Sequence, residues 1–275
     1  MKPTVYSTYG ETIDYDFDKS IEIYIDVFPT TLKTCDIRIF YAMEPDGVSC
    51  LSNEIIARQN EFDYILTFNN KILNNCKNAI LFEFGTKWVY YKEYEYPEKK
   101  FSTSTVCGFK NVLRGHIIRH ELWNRQDEIK TPIDFYISQY GGVENINNNK
   151  MLGESKNPLF DSMFHICVEN SKGPYYFTEK LVDSFLMKSV PIYWGSEKIS
   201  DYFNDKGFFV FNTVDELIEL VNNLTPDDYF SRLSYIEENY KIAEYYCEWK
   251  PRFYEKTIDL IKKAENESIS TISRL

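Results

Sequence analysis

The residues best able to do chemistry in this chain run from Asn170 to Lys180, Asn-Ser-Lys-Gly-Pro-Tyr-Tyr-Phe-Thr-Glu-Lys. They lead through an apolar stretch into Val190-Pro-Ile-Tyr-Trp-Gly195. A flexible turn, two tyrosines, a threonine suited to capping a helix and an adjacent Glu-Lys pair lie between two apolar, strand-like runs. Such a crossover holds phosphate well, because a helix N-terminus offers backbone N–H groups and a partial positive charge. Thr178 is the expected N-cap, with Glu179 and Lys180 in the first turn. Glutamate suits the positive end of a helix, whereas lysine there is mildly unfavourable and calls for an anionic partner. A diphosphate lying across Asn170 to Thr178 would supply one. Read alone, Glu179 and Lys180 are equally a solvated pair on a capped helix.

The elements that must position this stretch are legible on both sides of it. Phe164–Glu169 is expected as a strand, Tyr176–Lys188 as a helix, Val190–Trp194 and Gly207–Phe211 as strands, and Val214–Asn223 as a helix. Upstream, a strand over Phe101–Gly108, a helix over Val112–Arg125 and a strand over Ile133–Ser138 continue the alternation, which implies parallel βαβ units. The first third shows four β-rich runs, Ile21–Phe28, Asp36–Ala42, Phe62–Phe68 and Ala79–Phe84, with a helical segment from Cys50 to Asn60. The dense polar segment Tyr90–Lys100 marks the boundary, so residues 1–97 are expected to form one α/β lobe. Residues 98–275 then form a second, nucleotide-binding lobe with a helical tail. The Asn-rich segment from Gly141 to Lys150 reads as an exposed loop.

Composition narrows the partners. The net charge of −11 argues against nucleic acid, whose phosphate backbone needs a cationic surface, so an anionic ligand must be held by a few local cations. The six cysteines are widely spaced, with no Cys-x-x-Cys pair, and Cys107 and Cys167 lie in apolar runs as expected buried thiols; a reducing, cytoplasmic setting fits. No apolar run reaches the ~18 residues needed to span a bilayer. The abundance of tyrosine suits sugar contact and equally suits an AT-rich coding bias.

The segment from Val168-Glu-Asn-Ser through Tyr176-Phe-Thr-Glu-Lys180 to Val190-Pro-Ile-Tyr-Trp-Gly195 resembles the donor-site signature of the α-1,3-fucosyltransferases, glycosyltransferase family 10. The resemblance implies a GT-B type fold, two Rossmann-like lobes with a cleft between them. It further implies inverting, metal-independent transfer of fucose from GDP-fucose to a glycan hydroxyl, with no resident cofactor. By position, Lys180 would neutralise diphosphate charge, Glu179 would accept from ribose hydroxyls, and Asn170 and Tyr176 would line the phosphate and sugar region. The family also carries a phosphate-contacting arginine on the helix equivalent to Val112–Arg125. Arg119 is the preferred candidate and Arg114 the second, while either can be a helix-surface cation.

The catalytic base would come from the first lobe. In Phe40-Tyr-Ala-Met-Glu-Pro-Asp46, Glu44 follows an apolar strand, where a carboxylate can take the acceptor's proton; its alternative is a turn-entry glutamate beside Pro45. His116, His120 and His165 are expected in core or surface roles, with His116 near the donor as the other possibility. Gly85 and Trp88 are expected in turn and core packing, with acceptor contact as the alternative. Two rival functions stay open at this point, a transferase using another nucleotide-sugar such as a UDP donor, and a non-catalytic carbohydrate-binding protein on a degenerate transferase fold.

Overall fold

The structure is a computed structural model that describes residues 1–93, 98–147 and 149–272, with side chains to residue 266. Contacts divide the chain into two units, Met1–Phe82 with Glu248–Leu275, and Glu83–Cys247. The lobe boundary predicted after residue 97 falls at the edge of a segment outside the described residues.

The first unit is built on a parallel sheet of β1 (Thr4–Ser7), β2 (Ile21–Ile25), β3 (Ile37–Ala42), β4 (Tyr64–Thr67) and β5 (Ala79–Leu81), in that spatial order. The four predicted runs become β2 to β5, each shorter than predicted, and β1 is additional. All of β2 and nearly all of β3 are buried, as expected for strands covered on both faces.

Trp249–Ile272, predicted to join the second lobe as part of its helical tail, counts with the first unit instead. The reason is aromatic packing. The ring of Tyr41 on β3 lies 5.3 Å from Trp249 and 5.5 Å from Phe253, and Phe82 meets Phe253 edge-on at 5.9 Å. Tyr64 on β4 adds a hydroxyl donated to the Leu260 carbonyl at 3.4 Å. Pro251 is tolerated because it sits in the helix's first turn, where the missing N–H has no intrahelical partner to lose.

The second unit carries β6 (Lys100–Cys107), β7 (Ile133–Ile137), β8 (Lys150–Met151), β9 (Ser162–Val168), β10 (Val190–Trp194) and β11 (Phe209–Val210). Their spatial order is β8-β7-β6-β9-β10-β11, and every pairing is parallel. This is the doubly wound order of a Rossmann sheet, in which the direction of winding reverses between β6 and β9. Side-chain alternation shows the two winds. Phe164, Ile166 and Val168 of β9 pack in one cluster with Ile118 and Leu122 from the helix Arg114–Asn124, and with Leu217 and Val221 from Val214–Asn223. Cys167 and Tyr193 face the opposite cluster, with Leu181 and Phe185 from the helix Glu179–Leu186 and Ala243 from Leu233–Tyr246. Two helices on opposite faces therefore start from neighbouring strands. Cys107 and Cys167 are buried free thiols, and no described helix is long and apolar enough to cross a membrane.

If helix Trp249–Ile272 is integral to the first unit, Phe253→Ala should destabilise the protein by about 3–5 kcal/mol, the usual loss for deleting a buried ring. Chemical denaturation measures this; a loss below about 1 kcal/mol would place that ring outside the core.

Candidate active site

In an open α/β sheet, ligands settle beyond the carboxyl ends of the strands at the point of reversal. That position holds a cavity of about 300 Å³, at the lower end of the range for small-molecule sites. It is walled by the segments that follow β6 to β9 and by the starts of the two helices that diverge there.

The foundation of the cavity is Glu169, the residue after β9, which has no solvent exposure. Its carboxylate accepts from the backbone N–H of Thr178 at 2.8 Å and from the Thr178 hydroxyl at 2.7 Å, and Lys180 Nζ lies 3.7 Å away. Burial raises its pKa, and Lys180 and the Thr178 bonds only partly offset the rise. Two glycines let this side chain and its backbone fit. A Cβ on Gly195 would lie 2.6 Å from Glu169 Cγ, and one on Gly115 would lie 1.7 Å from the Glu169 carbonyl oxygen. Gly115 also donates its N–H to the Asn170 carbonyl at 3.1 Å, which seats the helix Arg114–Asn124 on the end of β9.

That seating delivers Arg119 to the cavity. Its Nη2 donates to the Val168 carbonyl at 2.6 Å and to Asn170 Oδ1 at 2.8 Å, so Asn170 orients the guanidinium. Arg114, one turn earlier, is exposed and does not line the cavity. His116 does line it. Burial first, then the nearby Arg119 and Lys110 charges, lower its pKa to about 4, and Nδ1 accepts from Leu113 N–H at 3.1 Å. The neutral ring therefore carries its proton on Nε2. His165, also on the wall, is buried and hydrogen-bonded to Ser104 Oγ at 2.8 Å. His120 Nε2 bonds the Lys110 carbonyl at 3.0 Å, away from the cavity lining.

Thr178 caps the opposite helix as predicted, accepting from Lys180 N–H at 3.4 Å. The N–H groups of Thr178 and Lys180 are thus engaged within the chain, and none of residues 171–178 lines the cavity. The expectation that a diphosphate lies across that turn is replaced by a cavity edged by its two ends, Asn170 and Glu179-Lys180. Lys180 also has anionic partners of its own, since Nζ lies 2.9 Å from Glu179 Oε1 besides its approach to Glu169. This resolves the apparent conflict of a lysine at a helix start. Burial pushes the Glu179 pKa up, but Lys180 and Lys156 outweigh it and hold the carboxylate at about 2; the two glutamates likewise outweigh burial at Lys180 and raise its pKa.

Tyr176 is buried without lining the cavity, and its carbonyl accepts from the Tyr193 hydroxyl at 3.4 Å. Trp88, expected in turn and core packing, is instead 59% exposed and lines the cavity. Glu44 belongs to the first unit, where its backbone N–H and that of Met43 donate to the buried Asp26 carboxylate at 3.0 and 3.1 Å. Sequence reasoning passed over Glu169 and Lys156 as site residues, and ranked contact with the site second for Trp88. The signal for Glu169 was present, a carboxylate directly after an apolar strand and upstream of a capping threonine.

Among the residues lining the cavity, Arg119, Lys156 and Lys180 are enclosed cations beside one enclosed carboxylate, the ionised Glu179, while Lys110 and Glu154 are exposed at its rim. A chain of net charge −11 thus keeps a local positive excess where an anion would sit. Among the described residues no group of three or more His, Cys, Asp or Glu side chains is placed to hold a metal.

A model of glycosyltransferase family 10 (fucosyltransferase), C-terminal part, matches residues 113–273, more than half of the chain. The chain belongs to glycosyltransferase family 10. Over 81 residues it is 36% identical to the alpha-(1,3)-fucosyltransferase FucT of Helicobacter pylori, a stretch covering 28% of this chain and 16% of that protein. Among solved structures, TarM superposes with a TM-score of 0.57 at 14% identity, over 88% of this chain and 54% of that one. The N-terminal domain of Candida albicans trehalose-6-phosphate phosphatase gives 0.57 at 11% identity, over 87% and 70%. These two likenesses speak to the fold alone, two parallel-sheet α/β units of the GT-B type. The family match, over residues 113–273, takes in Arg119, Asn170, Glu179 and Lys180 of the cavity wall and Glu169 beneath it.

Two predictions follow from this geometry. Gly115→Ala, by overpacking the Glu169 carbonyl, should lower stability by about 1–3 kcal/mol in chemical denaturation; wild-type stability would mean that the helix is not seated there. Asp183, on the helix Glu179–Leu186, has its pKa raised by burial to about 7 from an ordinary value of 3.8. Between those values the folded state holds a proton that the unfolded state has released, so this group's contribution to stability falls as pH rises from about 4 to about 7. Asp183→Asn should therefore flatten the decline in melting temperature between pH 5 and pH 8, and an unchanged slope would contradict the shift.

Proposed function

We propose that this family 10 protein is an inverting fucosyltransferase that moves fucose from GDP-fucose to a hydroxyl of a glycan acceptor. One observation carries the reading: Arg119, Lys180 and Glu179 converge on a single cavity at the reversal point of the second sheet. That arrangement suits a nucleoside diphosphate. The guanidinium and the ammonium face the diphosphate, and Glu179, held ionised, accepts from ribose hydroxyls. His116 adds an uncharged Nε2–H donor. The exposed rings of Phe109 and Tyr140, which follow β6 and β7 and line the cavity, offer flat apolar surfaces for the nucleobase.

In this mechanism the acceptor oxygen attacks the anomeric carbon from the face opposite the diphosphate and forms the new C–O bond. The bond from that carbon to the phosphate oxygen breaks, and configuration inverts. The acceptor proton passes to a carboxylate, for which Glu44 is the proposed base. Negative charge gathers on the departing GDP, where Arg119 and Lys180 stabilise it more strongly than they stabilise the ground state, which is the condition for catalysis. The protein's own cations take this part, so no resident metal or cofactor is invoked.

Asn170 acts by aiming Arg119, and Tyr176 acts from the core, by supporting the turn rather than touching the sugar. Another nucleotide-sugar donor would use the same phosphate groups and differ at the base and sugar walls. A non-catalytic carbohydrate binder gives no reason for a positive cavity beside an ionised glutamate.

Thermal shift with GDP, UDP, CDP and GDP-fucose tests the donor. The expected result is the largest rise with the guanine nucleotides; a rise with UDP alone would redirect the donor, and none with any nucleotide would remove the reading. Glu44→Gln should cut transfer about 10²–10⁴-fold while leaving GDP affinity unchanged. Full activity in that variant would take Glu44 out of the mechanism.

A further inference from the structure

Of the three enclosed cations lining the cavity, Arg119, Lys156 and Lys180, Lys156 is the one that the proposed mechanism leaves without a task. Its ammonium lies 3.9 Å from the centre of the Trp88 ring and 3.5 Å from Glu179 Oε1, with the side chain 21% exposed. Lys180 approaches the same Oε1 at 2.9 Å. A carboxylate held at one oxygen from two sides is fixed in direction.

The seat under Lys156 is itself fastened. The backbone N–H of Trp88 donates to Asp183 Oδ1 at 2.9 Å, and Asp183 lies four residues after Glu179 on the same helix, hence on the same face. Tyr90 N–H donates to Asn157 Oδ1 at 3.3 Å, beside Lys156 in the chain. The segment from Trp88 to Tyr90 is thus sewn both to the helix that carries Glu179 and to the loop that carries Lys156. A surface lysine gains little from such confinement, since its side-chain entropy is large and an exposed ion pair is weak. An ammonium that is partly desolvated between an indole and a buried carboxylate gains more.

We propose that Lys156, seated on Trp88, is a positioning residue of the donor site that orients Glu179 and keeps it an acceptor for the ribose diol of the nucleotide. The inference rests on the donor-site reading above. It assigns Lys156 to the nucleoside end of the donor, acting through Glu179, and leaves the phosphates to Arg119 and Lys180. Its loss should therefore weaken guanosine and GDP alike, because the damaged contact is the one they share.

The test compares binding of guanosine, GMP and GDP to wild type, Lys156→Met, Lys156→Arg and Trp88→Ala, each first shown by melting to be folded. Lys156→Gln serves if the methionine variant fails to fold. Lys156→Met should weaken all three ligands by a common factor of about ten, the order expected for removing one close charge of a half-buried pair. Its GDP affinity should also begin to fail at higher pH on acidification than that of wild type, as Glu179 moves back toward the ordinary carboxylate range. Lys156→Arg should restore most of the affinity, and Trp88→Ala should lose a smaller factor shared across the series. A loss confined to GMP and GDP would overturn the inference by making Lys156 a phosphate contact, and so would unchanged binding. Wild type that bound none of the three would instead remove the donor-site reading on which the inference stands.

Discussion

The buried carboxylate of Glu169 is the constraint on which the second unit's site depends. A charge removed from water must find partners or lose its proton, and this one draws its partners from the start of a single helix. Thr178 comes from the start of one helix, Lys180 from that helix's first turn, and the strand end that bears Glu169 receives the Gly115 contact from the helix on the other face. The glycine at 115 is required by the space that the Glu169 backbone occupies, and the one at 195 by the Tyr193 hydroxyl and the Glu169 side chain together. The side chain of Glu169 thus fixes the helix start that carries the Glu179-Lys180 pair, and the backbone of Glu169 and Asn170 seats the helix that carries Arg119. Because Lys180 also neutralises Glu169 and Glu179, replacing it would leave two buried carboxylates undercompensated. Such a change confounds folding with function, so the informative substitutions lie around Lys180 rather than at it.

The doubly wound sheet makes that constraint useful. Reversal between β6 and β9 sends consecutive helices to opposite faces and leaves their N-termini flanking one opening. Dipoles alone would bring a modest positive potential there, but the N–H groups of Thr178 and Lys180 at this end of the helix Glu179–Leu186 are engaged by Glu169 and Thr178. The attraction for an anion therefore rests on side-chain cations, held by buried acceptors in directions that leave them facing the cavity.

Much of this was legible in the sequence where both faces of an element are buried. Val190–Trp194 and Val214–Asn223 have the boundaries expected from their apolar runs and the Gly and Thr residues beside them, because burial and capping act there on neighbouring residues. Short strands with exposed side chains were not legible. β8 is two exposed residues, Lys150 and Met151, and β1 is half-exposed at the edge of its sheet, so neither carries a hydrophobic pattern. The helical character of the tail was legible as far as Lys263, short of the helix end at Ile272, but its partner sheet is set by long-range aromatic packing against Tyr41 and Phe82, which no local pattern encodes. At the site, the type and spacing of Thr178-Glu179-Lys180 pointed to the helix start. The depth of Glu169, the outward placing of Trp88 and the inward turn of Tyr176 depend on which face of the turn meets the sheet, a tertiary choice. Arg119 and Arg114 stand five residues apart on one helix, and only the contact through Gly115 decides which of them meets the end of β9.

The most direct test of the account is a crystal structure of the protein with GDP bound. The account predicts diphosphate oxygens within hydrogen-bonding distance, about 2.7–3.2 Å, of Arg119 and Lys180, and a ribose hydroxyl on Glu179, beyond the ends of β6 and β9. A nucleotide bound elsewhere on the second unit, or one whose phosphates pointed away from Arg119 and Lys180, would contradict it.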